Sequence, residues 1–273
     1  MNTMEKTGNV YGFLWTKSVD NTPHPLWHFH YMQEVITEPI VRGKYGIEVG
    51  SGCGYDTYYL AKADPSCRIV GMDLSDGVFK AKEVVSGLKN AFIIKGSALD
   101  IPARDNTFDF AYSYGVLHHT TDPVRGFREM IRVVRKDAPI FVYLYEDHSD
   151  NPLKKNLIKA TTVIRKITVK LPPRLLYAIT CVLSPFVFVA FTVPAKIFKR
   201  FKHTYGLYEK MPFNFARSFF SLRGDLYDRF SVPLEYRFGK EALRKALRDC
   251  GLKDIHITRL KAIAGLVAWG YKI

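Results

Sequence analysis

Gly50, Gly52 and Gly54 alternate at the end of the run Ile47-Glu48-Val49, and nothing else in the chain limits its fold so sharply. Glycines at every second position let the backbone turn tightly and present main-chain N–H groups at the N-terminus of the helix that follows. In an open α/β sheet this is the crevice where a nucleoside-bearing ligand sits. The spacing is G-x-G-x-G, not the G-x-G-x-x-G of dinucleotide sites. Asp73 comes 23 residues after Gly50, at the end of the next apolar run, where a carboxylate can accept both hydroxyls of a ribose.

Around this loop, short β-branched and aromatic runs alternate with helical periodicity. Strands are expected over 45–49, 68–73, 91–95, 108–114 and 139–146, and helices over 56–62, 77–88 and 123–135, the last with Asp122 as cap and Pro123 in its first turn. Farther on, an amphipathic helix over 240–250 stops at Gly251, and the runs 253–260 and 262–273 can pair as a hairpin. The prediction is an α/β fold with a doubly wound, mostly parallel seven-stranded sheet and a helical insertion before the last helix and strands. Four segments result: an N-terminal leader or cap (1–44), a cofactor-binding core (45–150), a basic apolar helical insertion (151–235), and the closing helix and strands (236–273). With 47% hydrophobic and 14% aromatic residues the chain is not disordered. Cys53, Cys67, Cys181 and Cys250 form no C-x-x-C, which argues against a zinc ribbon or disulfide framework and fits a reducing cytoplasm. No secretory signal is read at the N-terminus, so a cytoplasmic location is expected.

Further motifs follow in order: Gly96-Ser97-Ala98-Leu99-Asp100-Ile101-Pro102, Asn106-Thr107-Phe108-Asp109-Phe110, Gly115-Val116-Leu117-His118-His119 and Glu129-Met130-Ile131-Arg132-Val133-Val134. With the glycine loop and Asp73 they resemble the class I S-adenosylmethionine-dependent methyltransferases, the large group that includes the ubiquinone/menaquinone C-methyltransferases. The resemblance covers residues 45–146 and the closing elements, and implies a Rossmann-like methyltransferase fold with S-adenosylmethionine as cofactor. It places Glu48 and Gly50 near the methionine moiety, Asp73 on the ribose, and the main chain at Ala98 and Leu99 along the adenine. Ser51, Gly52, Gly54, Leu74 and Ser97 complete the expected cofactor-binding set. The group usually has an acid where this chain has Ser97; a hydroxyl there still accepts from the adenine amino group, without charge assistance.

Methyl transfer from a sulfonium is an in-line displacement, so alignment dominates and a base is needed only for a poorly acidic hydroxyl or carbon acceptor. His118 and His119 follow the fourth strand on the edge where the acceptor enters, and each is a candidate base, with helix capping or a backbone hydrogen bond as the alternative role. Tyr114 is the third catalytic candidate, reaching cofactor or acceptor, or else packing. No Asn/Asp-Pro-Pro-Tyr run occurs at the fourth strand, which points away from exocyclic amines of nucleic acid bases and towards an O- or C-acceptor. Aromatic clusters at 11–15 and 25–30 look like segments that fold over cofactor and acceptor, or pack on the sheet. His28 and His30 have no carboxylate at ligand spacing, so no metal site is expected. Residues 225–230 and 236–238 loosely resemble a stretch in methyltransferases of polysaccharide and secondary-metabolite pathways, which puts Arg229, Tyr236 and Arg237 near the acceptor or in surface salt bridges.

The formal charge of +14 is uneven: 16 basic against 19 acidic residues in 1–150, and 24 against 7 in 151–273. Residues 151–208 hold eleven basic side chains and no acid, so this segment seeks an anionic partner. Leu153, Leu157, Ala160, Ile164, Ile167 and Leu171 recur at helical spacing among lysines, a basic amphipathic helix ended by Pro172-Pro173. Residues 175–195 then run 21 positions without a charge, long enough to span a bilayer. Pro185 and Pro194 are expected to interrupt that run, and basic residues on both flanks favour an element dipping into an anionic membrane surface. A soluble helical lid and a true span are the alternatives, and so much apolar sequence makes nucleic acid a poor fit as partner. The reading is a methyltransferase acting on an oxygen or carbon of a small, amphipathic or lipid-linked acceptor, such as a quinone, polyprenyl or glycolipid intermediate, peripheral on the cytoplasmic face of a membrane. Its rivals are a non-catalytic cofactor-binding protein docking on a membrane or partner enzyme, and an RNA methyltransferase.

Overall fold

The computed structural model describes residues 3–17, 28, 43–214, 216, 218–259 and 265–273. The chain divides into two compact units, residues 1–155 with 234–273, and residues 156–233. In the first, helix α1 (Thr3–Lys17) precedes strand β1 (Tyr45–Val49), and then come α2 (Tyr55–Ala63), β2 (Arg68–Asp73), α3 (Gly77–Val85), β3 (Ala91–Lys95), β4 (Phe110–Tyr114), α4 (Pro123–Val133) and β5 (Pro139–Leu144). Helix α5 (Pro152–Thr168) leads into the second unit, and α10 (Lys240–Asp249), β6 (Leu252–Arg259) and β7 (Leu266–Lys272) complete the first.

The seven strands lie in the order β3-β2-β1-β4-β5-β7-β6. The first five are parallel, while β7 runs antiparallel to both β5 and β6, as the hairpin expectation required. Strand side chains alternate between two cores: Phe110 and Tyr112 join Ile69, Leu60 and Phe141 on one face, and Ala111 joins Ile47, Val70 and Ile140 on the other. Period-two alternation with both faces apolar is what a sheet covered on two sides by helices needs. Helix α4 starts as its sequence dictates, with Asp122 Oδ1 accepting from Arg125 N at 2.9 Å and Pro123 in the first turn. Helix α10 buries Leu243 and Leu247, one turn apart, and Gly251 ends it at φ 101°. The strand order reverses between β1 and β4, and in open α/β sheets the crevice beyond such a reversal is where ligands bind.

One ion pair ties β6 to the end of β5. Arg259 Nε lies 2.9 and 2.8 Å from the two oxygens of Glu146, which is only 3% exposed, and Arg259 Nη2 lies 2.7 Å from Asp150. Removing the guanidinium leaves a buried carboxylate without its counter-ion. Arg259→Ala is expected to lower unfolding stability by about 2 kcal/mol, less than for a fully buried pair because Arg259 is partly solvated. Urea unfolding with an unchanged slope checks this.

Within residues 156–233, α6 (Pro173–Val187), a π-helical turn (Phe188–Thr192) and α7 (Val193–Lys199) form one continuous helix of 27 residues. Helices α8 (Tyr205–Lys210) and α9 (Phe219–Ser231) follow. Neither proline breaks the long helix, contrary to expectation. Pro185 offers no N–H to the Cys181 carbonyl, and the Ser184 hydroxyl donates to that oxygen instead at 3.1 Å. Ahead of Pro194 the helix widens, with Val193 N donating to Phe188 O five residues back.

Candidate active site

The loop after β1 is pinned to the end of β2. Gly50 N and Ser51 N donate to Met72 O at 2.7 and 2.9 Å, and the Asp73 carboxylate accepts from Gly52 N (2.9 Å) and Ser75 N (2.7 Å). Each Asp73 oxygen keeps a second lone pair for a ligand hydroxyl. Gly50 has φ 89° and Gly52 φ 53°. A Cβ at Gly50 would lie 2.0 Å from Val116, and one at Gly52 2.9 Å from the Trp15 indole. Both backbone angle and space therefore demand glycine.

The loop opens onto a partly open cleft beside the reversal of strand order, the place where open α/β sheets bind nucleoside ligands. Glu48, Gly50, Ser51, Gly52, Asp73, Leu74, Ala98, Tyr114 and His119 all line it. Gly54, Ser97, Leu99 and His118 do not: Gly54 (φ 82°) caps α2 against Ala81, and the Ser97 hydroxyl accepts from Leu99 N at 3.2 Å. One face of α1 forms another wall, since Met4, Thr7, Gly8, Tyr11 and Trp15 recur at helical spacing along it. Of the aromatic cluster at 25–30, His28 lines the cleft and the rest lies outside the described residues.

His118 and His119 form a 3₁₀ turn and face different surroundings. His118 is fully buried, its ring 4.0 Å from that of Tyr145 and 4.1 Å from that of His119, and burial pushes its pKa well below the usual imidazole range. A neutral, enclosed ring is packing; the structure does not bring it to the cleft. His119 has its Nδ1 2.7 Å from Leu234 O, which makes Nδ1 the protonated nitrogen of the neutral ring.

Sequence reasoning missed a third arrangement. His28 Nδ1 lies 3.0 Å from Asp56 Oδ2, and the same oxygen accepts from Tyr112 OH at 2.6 Å. The His28 ring stacks on Tyr114 at 4.0 Å, and Tyr114 stacks on Tyr143 at 4.2 Å. A carboxylate on Nδ1 holds the imidazole in the tautomer whose Nε2 accepts a proton, and it stabilises the imidazolium that results. Asp56 sits in the first turn of α2, where the helix N-terminus favours its negative charge. Its only sequence signal was its place two residues after Gly54.

Glu48 is 3% exposed and accepts from the Thr57 hydroxyl, and no salt bridge reaches it among the described residues. Burial first, then the neighbouring Asp56 charge, pushes its pKa well above the ordinary carboxylate range. A buried carboxyl group that resists ionisation beside Asp56 suits a ligand carrying a cation, which would stabilise its charged form. Elsewhere, Glu146, His148 and Asp150 bring one ligand atom each within 4.8 Å of the others, but Arg259 already holds both carboxylates. Tyr236 donates to Thr121 O at 3.3 Å and Arg237 to Glu146 O at 3.0 Å, and neither lines the cleft. Arg229 pairs with Asp225 at 3.4 Å within the second unit.

Comparison with known proteins agrees with this geometry. A methyltransferase-domain profile matches residues 47–142. The demethylmenaquinone methyltransferase of Staphylococcus aureus is 22% identical over 253 residues, covering 91% of this chain and 83% of that one. Among solved structures, an S-adenosylmethionine-dependent methyltransferase from Aquifex aeolicus superposes with a TM-score of 0.51 at 14% identity, covering 92% of this chain and 95% of that one. Phosphoethanolamine N-methyltransferase 2 of Haemonchus contortus, in complex with S-adenosyl-L-methionine, gives 0.52 at 12% identity over 92% of this chain and 42% of that one. At these identities the structural likeness is one of fold.

Proposed function

The chain is a class I S-adenosylmethionine-dependent methyltransferase, and from that premise we propose an acceptor that is small, amphipathic or lipid-linked, and methylated on oxygen or carbon. The observation that carries this reading is the His28–Asp56 pair in the cleft, beside stacked Tyr114. An amine attacks through a free lone pair and needs no proton removed first, whereas a phenol-like hydroxyl or an activated carbon does. A carboxylate-backed imidazole next to an aromatic stack fits a planar, weakly acidic acceptor. The quinone named for the staphylococcal relatives supports the same class. Acceptors of this kind reside in membranes, and the proposed location is peripheral, on the cytoplasmic face.

When bound, S-adenosylmethionine supplies an electrophilic methyl group on a sulfonium. Asp73 would hold the ribose through the lone pairs its loop contacts leave, and Glu48 would face the cationic methionine end. Ala98 would border the adenine end, and α1, which forms one wall of the cleft, would close that side against water. His28 Nε2 takes the acceptor's proton as the acceptor's electron pair forms the new bond to methyl. The bound cofactor would supply the methyl group and keep the S–C electron pair on its sulfur. The products are methylated acceptor, S-adenosylhomocysteine and a proton that His28 returns to solvent.

Calorimetric titration with S-adenosylhomocysteine tests the cofactor half. Asp73→Asn keeps one accepting oxygen and loses the charge, so its affinity should fall about tenfold. Turnover with demethylated quinone or phenolic acceptors, beside primary amines, tests the acceptor. Failure to bind the homocysteine product, or methylation of amines alone, would overturn the reading.

A further inference from the structure

The helix Pro173–Lys199 is inside out. Its most buried side chains include Thr180 (1% exposed), Ser184 (0%) and Thr192 (0%), whereas Val182 (65%), Phe186 (69%) and Val189 (65%) stand in the open. Leu175, Val193 and Ile197 extend the exposed apolar face towards both ends. A helix on the surface of a water-soluble protein does the reverse, and a monomer seldom leaves so large an apolar patch uncovered. The hydroxyls face inward because the unit itself satisfies them: Thr192 Oγ1 donates to Phe213 O at 2.9 Å, and Ser184 to Cys181 O.

Charge says what covers the patch. Lys166, Lys170 and Arg174 precede the apolar stretch, Lys196, Lys199 and Arg200 end it, and no acid occurs between 151 and 208. We infer that this helix lies in the plane of an anionic phospholipid membrane, with Val182, Phe186 and Val189 in the acyl boundary and the basic side chains at both ends on headgroup phosphates. Neither signal alone anchors a protein firmly; an apolar face and a polybasic flank together do.

A spanning placement conflicts with the packing. The inner face of the helix rests on α9, whose sequence carries Arg223, Asp225, Asp228 and Arg229. Crossing the bilayer would draw four charged side chains towards hydrocarbon, whereas lying in the interface keeps α9 on the aqueous side. Basic residues at both ends fit one leaflet in the same way. The inference goes beyond the methyl-transfer reading and stands or falls without it.

The test uses the full chain and vesicles of phosphatidylglycerol with phosphatidylcholine, beside phosphatidylcholine alone. Sedimentation should show at least tenfold tighter binding to the anionic vesicles, weakening as salt rises. The double variant Phe186→Glu and Val189→Glu changes only exposed positions. It should lose at least tenfold in vesicle affinity while S-adenosylhomocysteine binding and the unfolding midpoint stay as in the parent chain. Alkaline carbonate should strip the protein from cell membranes. Equal binding to neutral vesicles, an unaffected double variant, or resistance to carbonate each overturns the in-plane placement on anionic lipid. So does a dimer in gel filtration that this double variant splits, because a second copy would then be the cover.

Discussion

Replacing His28 with Gln is expected to lower kcat by about 10²–10⁴-fold while S-adenosylhomocysteine affinity changes little. The imidazole reaches the cleft with its Nδ1 held by Asp56 and its face on Tyr114, so glutamine fills similar space and cannot accept a proton. Asp56→Asn should cost a comparable factor by a different route. The amide cannot stabilise an imidazolium, and it can favour the tautomer with the proton on the wrong nitrogen. Of the described histidines on the cleft, His28 is the stronger candidate because its Nδ1 meets a carboxylate, whereas that of His119 meets the Leu234 carbonyl. A neutral carbonyl orients a ring but offers little to the positive charge formed on proton capture. His119→Gln should therefore reduce kcat less than His28→Gln does. Imidazole added to His28→Ala should restore part of the lost rate, which a packing role for His28 would not allow. Single-turnover rates separate these effects from acceptor binding; a His28→Gln rate within threefold of the parent would transfer the base to His119.

The difference between these histidines also marks where sequence reading stops. The glycine loop, Asp73 and the strands were legible because each depends on residues close in the chain: alternation sets a strand, and glycine permits the left-handed turns at Gly50 and Gly52. Tyr11 and Trp15 were legible only as an aromatic cluster that either folds over the cleft or packs on the sheet, and the structure puts both on the cleft wall. His28 and Asp56 were not. They meet across 28 positions, a separation over which no local pattern encodes a contact. His118 and His119 read alike because they are adjacent, yet a 3₁₀ turn sends one into the core and the other to the cleft. The prolines misled for a related reason. Their local effect on a helix is real, but Ser184 and one widened turn absorb it, and those compensations are visible only once the helix is built.

Glu48→Gln should make the ligand-free protein more stable at neutral pH and the cofactor complex weaker, by about 10–100-fold in affinity. Glu48 is buried, it accepts from Thr57, and Asp56 lies close by. Its folded pKa is therefore raised above the unfolded value. In the window between those two values the native state binds more protons than the unfolded state, so stability falls as pH rises. Below the unfolded value that contribution is fully present; above the folded value it is lost. Glutamine has no proton to lose, so the variant's unfolding midpoint should lack this downward slope, and its advantage over the parent should grow from acid to neutral pH. The cofactor reverses the preference, because a sulfonium and an ammonium group stabilise the ionised carboxylate that the empty cleft disfavours. Binding of S-adenosylmethionine by the parent chain should then release protons within the same window. Calorimetry in buffers of different ionisation enthalpy measures that release directly, and Glu48→Gln should abolish it. A parent chain that binds the cofactor without releasing protons would remove Glu48 from the methionine end of the site.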